Sequence, residues 1–187
     1  DALVTPWSGV SRDNNLRADT SIEKLGSLRN VFDKGPKATL SAGNSTSLTD
    51  GAAAVLLCSE EWAERHNLPV QAYLVTGRSA GFDCVNDEGL LVAPTVAVAE
   101  MLQRTGLALQ DFDFYEIHEA FAAQVLCTLK AWESEDYCRE RLGLDQALGS
   151  IDKAKLNVNG SSLAVGHPFA ATGARIVATL AQLLQEK

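Results

Sequence analysis

Short apolar runs alternate with amphipathic stretches along this chain. Four short runs are predicted as strands, of which the second is rich in β-forming residues: 52–57, 70–80, 112–117 and 156–158. Five stretches have helix-capping residues or an apolar face at helical spacing: 21–32, 60–66, 95–105, 119–132 and 168–184. The alternation of these two kinds of element predicts a layered α/β fold.

The ends of the predicted helices add detail to this fold. Ser59 can cap the second helix, and Pro94 and Gly106 bracket the third. The polar stretch 133–150 predicts a surface insertion. The last helix is followed by no further strand, so we expect an α/β architecture with its last strands missing and an open sheet edge.

Composition narrows the classes of function. The 187 residues are 46% hydrophobic and 21% charged, which is typical of a folded domain or of one half of a larger fold. The net charge of −8 argues against a nucleic-acid partner and against an anionic membrane surface. The apolar runs are too short or too interrupted to span a bilayer, so no membrane span is expected.

The four cysteines show no paired spacing. Cys58, Cys84, Cys127 and Cys138 therefore argue against a disulfide framework and against a zinc site. We expect a reducing compartment and no bound metal. Cys58 and Cys127 lie in apolar stretches, which predicts a packing role for both.

The first stretch that could carry chemistry is Gly166-His167-Pro168, which follows a run of small residues. Pro168 suits the first turn of the predicted helix, and Gly166 permits close approach of the backbone to a ligand. His167 would then lie at a helix N-terminus, where a neutral imidazole is favoured and can donate a hydrogen bond to a developing oxyanion. The same position also suits a histidine that only caps the helix, and spacing alone leaves both interpretations open.

The second stretch lies at the junction between a predicted strand and a predicted helix, where His118 and Glu119 stand. In parallel α/β sheets, ligands bind at the carboxyl ends of the strands. We therefore expect His118 and His167, at two such junctions, to converge on one site. The third histidine, His66, ends a surface helix, where a cation interacts favourably with the helix dipole.

Three other motifs are excluded by the residues themselves. The pair His118-Glu119 is not followed by the second histidine of a zinc-binding helix. The run from Gly160 to Ala164 lacks the second glycine of a nucleophile elbow. The stretch 166–173 has no lysine for a phosphate-binding loop.

Three blocks of the sequence resemble the thiolase family. Residues 157–175, with Gly-His-Pro followed by Thr-Gly-Ala-Arg, resemble the thiolase signature around the catalytic histidine. Residues 117–124 resemble the Asn-Glu-Ala-Phe-Ala block, with His118 where many members have asparagine. Residues 42–55 resemble the segment that leads from the coenzyme-binding loop region into the C-terminal half. The His-Glu-Ala-Phe variant looks most like the fatty-oxidation subclass, which includes the trifunctional-enzyme β subunit.

The resemblance implies roles for individual residues. His167 matches the histidine that activates the nucleophilic cysteine and helps to hold the thioester oxygen, and His118 matches the position that completes this oxyanion site. The remaining matches are substrate- or coenzyme A-binding positions: Thr46 and Phe121 beside the pantetheine arm, and Gly166 and Pro168 in the turn that shapes the site.

The activity implied by the resemblance is that of an acetyl-CoA C-acyltransferase. Such an enzyme cleaves 3-ketoacyl-CoA with free coenzyme A to acetyl-CoA and a shortened acyl-CoA, or runs the reverse Claisen condensation. Coenzyme A is then a co-substrate, and no tightly bound cofactor is expected. The alternative is a non-catalytic, thiolase-like binding or assembly module.

The sequence also departs from the family pattern. Neither of the two catalytic cysteines of thiolases has a match here, so we expect a truncated chain that is inactive alone. Residues 1–40 would be a remnant of the loop and coenzyme A-binding region, and residues 41–187 a truncated C-terminal domain. Ser161 stands where a second glycine is usual.

Partners and location follow from the same resemblance. The full-length protein is expected to be a homodimer or tetramer, with a hydratase/dehydrogenase subunit as a further partner. A bacterial protein of this kind would be cytoplasmic, and a eukaryotic one would lie in the mitochondrial matrix.

Overall fold

The computed structural model describes residues 4–86 and 89–187, and the regular structure of these residues is helical. Their seven α-helices are α1 (Ile22–Gly26), α2 (Glu60–Arg65), α3 (Pro94–Thr105), α4 (Ala122–Glu133), α5 (Glu135–Leu142), α6 (Ser162–Val165) and α7 (Thr172–Glu186). Two short 3-10 turns cover Leu109–Asp111 and Lys153–Lys155.

Local capping determines where several of these helices begin and end. The Ser59 side chain accepts a hydrogen bond from the Trp62 backbone N–H at the start of α2. Gly106 ends α3 in the left-handed conformation with φ 70°, and its N–H bonds to the Leu102 carbonyl. These are the ends that the sequence predicted for the second and third helices.

Helix α5 lies inside the polar stretch that was predicted as a surface insertion. Ser134 accepts a hydrogen bond from the Tyr137 N–H at its start, and Gly143 ends it with φ 65°. The interpretation as a surface insertion is therefore incomplete, because α5 buries Cys138 fully and its Tyr137 hydroxyl lies 3.1 Å from Thr95 Oγ1 in α3.

The four predicted strands do not form a regular sheet among the described residues. Tyr115 and Leu156, from the third and fourth predicted strands, meet in an isolated parallel bridge. The runs 52–57 and 70–80 have no strand hydrogen bonding and are largely exposed, with Leu56 at 68% and Val75 at 82% exposure. The strand prediction is wrong here because a strand needs a neighbouring backbone to pair with, and the described residues supply none to these runs.

The described chain divides into two compact units. One comprises residues 4–72, 116–122 and 159–187, and the other comprises residues 73–115 and 123–158. The second unit is centred on α3, α4 and α5, where Trp132 donates from Nε1 to the Thr95 carbonyl at 3.3 Å and Cys138 is fully buried. The first unit contains α1, α2, α6 and α7 and buries several small polar side chains, among them Ser162 and Thr172.

Candidate active site

Residues 44–49 connect the two segments of the first unit that carry the histidines; we call residues 44–49 the linking strip. The segment around His118, residues 117–120, is the His118 corner, and the segment around His167, residues 166–168, is the His167 corner. The Thr46 N–H donates to the Ala120 carbonyl at 3.0 Å, just after His118. The His167 N–H donates to the Ser47 carbonyl at 2.8 Å. The three sequence blocks that resemble thiolases are therefore hydrogen-bonded to one another.

Gly166 lies where the His167 corner meets the linking strip. Its φ is +86°, and a Cβ atom there would lie 2.7 Å from Thr49 Cγ2 and 3.0 Å from the Ser47 carbonyl oxygen. Both the dihedral angle and the contact distance require glycine. The close neighbours of Gly166 are thus residues of its own chain, and its predicted role in ligand binding stays a prediction.

The imidazole rings of His118 and His167 lie side by side. Their centroids are 4.2 Å apart with an interplanar angle of 40°, and both side chains are half-buried. The edge of the Phe169 ring approaches His167 at a centroid distance of 4.9 Å. The sequence predicted that the two histidines would converge, and the geometry brings them together.

His118 is held through Nδ1, which lies 2.8 Å from Ser162 Oγ. Arg175 donates from Nη2 to the same Ser162 Oγ at 3.0 Å and to Ser161 Oγ at 3.2 Å. Burial lowers the pKa of His118, and the nearby His167 and Arg175 lower this pKa further. The neutral imidazole is therefore the favoured form of His118.

His167 is also held through Nδ1, which lies 2.7 Å from Thr172 Oγ1. The Thr172 hydroxyl in turn donates to the Pro168 carbonyl at 3.4 Å. Helix α7 begins at Thr172 instead of Pro168, because Ala170 adopts a left-handed backbone with φ 65°. The first helical turn predicted at Pro168 is therefore wrong. The N-cap of α7 is Ala171, so His167 does not cap this helix.

Two glutamates lie close to these groups. Glu119 Oε2 accepts a hydrogen bond from the Leu163 N–H at 3.0 Å, at the start of α6. Both carboxylate oxygens of Glu116 are buried and have no hydrogen-bond partner among residues 4–86 and 89–187. Burial raises the pKa of Glu116 to about 7, against the opposing effect of Arg175. Glu116 can therefore change its charge near neutral pH.

The predicted positions beside the pantetheine arm also lie in the first unit. Thr46 Oγ1 donates to the Ser162 carbonyl at 2.8 Å, and the Phe121 ring meets Phe32 edge-on at a centroid distance of 5.4 Å. The Pro168 ring packs so closely on Gly51 that a Cβ atom there would lie 2.9 Å from Pro168 Cγ. All six predicted site residues thus belong to one unit.

Four residues of the site were not predicted as functional: Glu116, Ser162, Thr172 and Arg175. Ser162 and Thr172 each lie five positions from His167, one before it and one after it. Their small hydroxyls are the only signal in the sequence, and hydroxyls are common at helix starts for other reasons. Arg175 lies inside a matched block and Glu116 lies beside one, but the role of each depends on contacts with residues that are distant in the sequence.

The cysteines, the acidic and histidine side chains and the helices each bear on a predicted property of the chain. Cys58 and Cys127 are exposed, so the packing role predicted for them is wrong. Within the described ranges, no group of three or more His, Cys, Asp or Glu side chains could hold a metal ion. None of the helices in this part of the chain is long and apolar enough to cross a membrane.

Comparison with known families decides the ancestry of this site. Residues 68–187 match the family profile described as Thiolase, C-terminal domain, and residues 5–61 match Thiolase, N-terminal domain. The first match alone spans more than half of the chain. The chain belongs to the thiolase family.

Curated relatives carry the same family name. The chain is 46% identical over 178 residues to the 3-ketoacyl-CoA thiolase of Pectobacterium atrosepticum, a match that covers 94% of this chain. It is 43% identical over 178 residues to the 3-ketoacyl-CoA thiolase of Yersinia enterocolitica, again over 94% of this chain. The chain spans 40% of the length of each of these relatives.

Solved structures confirm the fold. The human mitochondrial 3-ketoacyl-CoA thiolase matches with a TM-score of 0.72 at 32% identity, over 95% of this chain and 39% of that one. The dimeric peroxisomal thiolase of Saccharomyces cerevisiae matches with a TM-score of 0.73 at 36% identity, with the same coverage. The predicted fold class, a thiolase-like layered α/β fold, is therefore confirmed, although the described residues are poor in strands.

Proposed function

We propose that this chain contributes the histidine side of a thiolase active site. In this proposal the full-length protein cleaves 3-ketoacyl-CoA with free coenzyme A, or runs the reverse condensation. The observation that carries the proposal is the 4.2 Å approach of the His118 and His167 rings. Each ring bonds a buried hydroxyl through Nδ1, and Nε2 of each has no hydrogen-bond partner among the described residues. Two free Nε2 atoms are therefore available to a substrate.

The chemistry divides into two half-reactions that share a cysteine nucleophile. His167 accepts the proton of the cysteine thiol, and the thiolate attacks the keto carbonyl of the 3-ketoacyl-CoA. Cleavage of the carbon–carbon bond leaves an acyl-cysteine and releases acetyl-CoA after a proton, supplied by a second cysteine, reaches the departing carbon. The thiol of free coenzyme A then gives its proton to the second cysteine and attacks the acyl-cysteine. The bond between the acyl carbon and the nucleophilic cysteine breaks, which gives the shortened acyl-CoA, and the released thiolate regains its proton from His167. Both cysteines are expected outside this chain.

The hydrogen bond with Thr172 leaves His167 in the tautomer that can act as a base. Its hydroxyl can donate to the Pro168 carbonyl and accept a hydrogen bond from Nδ1–H of His167. This arrangement leaves a lone pair on Nε2 of His167, which can take the thiol proton. Once protonated, Nε2 can donate a hydrogen bond to the oxyanion that forms on the substrate.

Coenzyme A is proposed as a co-substrate, and no tightly bound cofactor is needed for this chemistry. Thr46, Phe121, Gly166 and Pro168 are proposed to lie along its pantetheine arm. Their presence in the same unit as the two histidines supports this placement. A further supporting fact is that the human mitochondrial relative has been solved in complex with CoA, and it matches this chain with a TM-score of 0.71.

The wider setting is proposed from the relatives. We assign the full-length protein to fatty acid β-oxidation, within the trifunctional-enzyme β-type subclass, in the bacterial cytoplasm or, in a eukaryote, the mitochondrial matrix. A homodimer or tetramer with a hydratase/dehydrogenase partner subunit fits this setting, and the yeast relative is itself described as dimeric. The division of the chain after residue 40 remains a prediction.

The decisive experiment is an assay of the full-length protein with acetoacetyl-CoA and with a long-chain 3-ketoacyl-CoA. We expect acetyl-CoA to form only when free coenzyme A is present. We expect residues 1–187 alone to form none, because they contain no match to either catalytic cysteine. Full-length protein that binds coenzyme A but cleaves neither substrate would instead favour a binding or assembly module. Full activity of residues 1–187 would contradict the proposed division of the site.

A further inference from the structure

Ser162 Oγ lies between a nitrogen that can only donate and a nitrogen that can do either. Arg175 Nη2 lies 3.0 Å from it, and a guanidinium has hydrogen-bond donors but no acceptor. His118 Nδ1 lies 2.8 Å from the same oxygen, and its role depends on which ring nitrogen carries the hydrogen. Ser162 is fully buried, so water cannot satisfy its hydroxyl.

Counting donors and acceptors decides between the two tautomers of His118. The bond from Arg175 occupies one lone pair of Ser162 Oγ and leaves one hydrogen and one lone pair. If Nδ1 carried the hydrogen, it would take the second lone pair, and the serine hydrogen would have no acceptor among the described residues. If Nδ1 is bare, the serine hydrogen bonds to it, and both the serine hydroxyl and Nδ1 have a partner. Buried polar groups are nearly always satisfied, which selects the second arrangement.

The position of Ser162 is itself fixed from several sides. Its carbonyl accepts the Thr46 hydroxyl at 2.8 Å and the Gly166 N–H at 2.9 Å. The next residue, Leu163, donates its N–H to Glu119 at 3.0 Å. Ser162 therefore presents its hydroxyl to His118 from a backbone that three separate segments hold in place.

We propose that Ser162, oriented by Arg175, is a positioning residue that holds His118 as the neutral tautomer with its hydrogen on Nε2. The inference rests on the proposed thiolase function, because it assigns His118 the role of hydrogen-bond donor to the substrate oxyanion. His118 is then unable to accept the cysteine proton in its resting state, and this task falls to His167. The favoured neutrality of His118 agrees with this assignment.

The tautomer of His118 can be measured directly by nuclear magnetic resonance, without an assay of turnover. Full-length protein is labelled with ¹⁵N-histidine, and the His118 ring signals are assigned by their loss in His118→Asn. We expect the chemical shift of a bare Nδ1 and a protonated Nε2. A protonated Nδ1 in the unmodified protein would overturn the inference.

A kinetic test uses two neighbouring serines as a matched pair. Both Ser161 and Ser162 are buried and accept a hydrogen bond from Arg175, but only Ser162 contacts His118. In full-length protein, Ser162→Ala should lower kcat about tenfold or more with little change in KM, since losing one oxyanion donor outright costs roughly 100- to 1000-fold. Ser161→Ala should leave kcat within about twofold.

The two tests separate the inference from the function on which it rests. Equal kcat values for the two alanine variants in an active enzyme would remove Ser162 as a positioning residue while the thiolase function stands. A bare Nδ1 in a full-length protein that shows no thiolysis would contradict the proposed function while the tautomer assignment stands. The label experiment uses unmodified protein, so a poorly folded Ser162→Ala variant does not decide the outcome.

Discussion

His118 and His167 each form a hydrogen bond with a buried hydroxyl through Nδ1, but the second partner of that hydroxyl differs between the two corners. Ser162, beside His118, also contacts the guanidinium of Arg175, which only donates. Thr172, beside His167, also contacts a backbone carbonyl, which only accepts. The Ser162 hydroxyl is therefore left to donate its hydrogen to His118, whereas the Thr172 hydroxyl donates to the carbonyl and is left to accept from His167. The two imidazoles are consequently assigned different tautomers.

The largest expected effect comes from breaking the His167 corner. In full-length protein, His167→Ala should lower kcat about 1000-fold or more, because it removes both a general base and an oxyanion donor. Steady-state thiolysis measures this loss. His66→Ala is the matched control, since His66 is exposed and stacks on Trp62 at the end of α2, and its kcat should be unchanged. A His167→Ala enzyme with normal turnover would exclude His167 from the chemistry.

Breaking the His118 corner should have a smaller effect that a donor can repair. His118→Ala should lower kcat by roughly 100- to 1000-fold, the value of one oxyanion donor. His118→Asn should recover part of this loss, because an amide N–H can donate but cannot act as a base at neutral pH. The ratio of the two kcat values is the measurement. An asparagine variant no better than the alanine variant would argue that His118 does not act as a donor.

Gly166→Ala should loosen the His167 corner without touching either imidazole. The left-handed φ of +86° and the 2.7 Å approach to Thr49 predict a loss of about 1–3 kcal/mol in the free energy of unfolding. The shift of the urea midpoint measures it. Gly173→Ala in α7 is the control, since its new Cβ would meet nothing within 4 Å and should stabilise the helix by about 0.5–1 kcal/mol. Equal midpoints for the two variants would show that the Gly166 contact carries no strain.

The smallest expected effect is the contribution of Glu116, which lies beside the His118 corner, to the pH dependence of the free energy of unfolding. The folded pKa of about 7 lies above the ordinary value of 4.5, so the folded state binds more protons between these values and stability falls as pH rises from about 4.5 to 7. Glu116→Gln should flatten this fall by about 1–2 kcal/mol, a figure reduced for solvent screening because the residue is only half-buried.

Urea unfolding at pH 5 and pH 8 measures the Glu116 effect. The exposed Glu64, changed to glutamine, is the control and should leave the pH profile unaltered. A Glu116→Gln profile that falls as steeply as the original would show that this carboxyl does not titrate between pH 5 and 8.

The sequence predicted those features whose causes are local. Helices α2 and α3 were predicted to within about one residue at their ends, because Ser59, Pro94 and Gly106 act on the neighbouring backbone. Helix α7 was predicted four residues too early, because nothing in the sequence revealed the left-handed Ala170. The strands over 52–57 and 70–80 were not recovered, because β-propensity becomes a strand only when another segment pairs with it.

The same distinction between local causes and contacts with distant segments applies to the residues of the site. His118 and His167 could be paired from the sequence because each follows a predicted strand and lies in a thiolase-like block. Ser162, Arg175 and Glu116 could not be assigned, because their roles arise from contacts across long sequence separations: 44 positions between His118 and Ser162, and 13 between Ser162 and Arg175. A hydroxyl or a charge has no distinguishing pattern in the sequence until its neighbours are known.

The linking strip has a mechanical consequence for the pair of histidines. Adjacent residues of the strip, Thr46 and Ser47, are hydrogen-bonded to the two separate corners. Moving one corner away from the other would stretch one of these two hydrogen bonds, so the strip couples the positions of the two imidazoles.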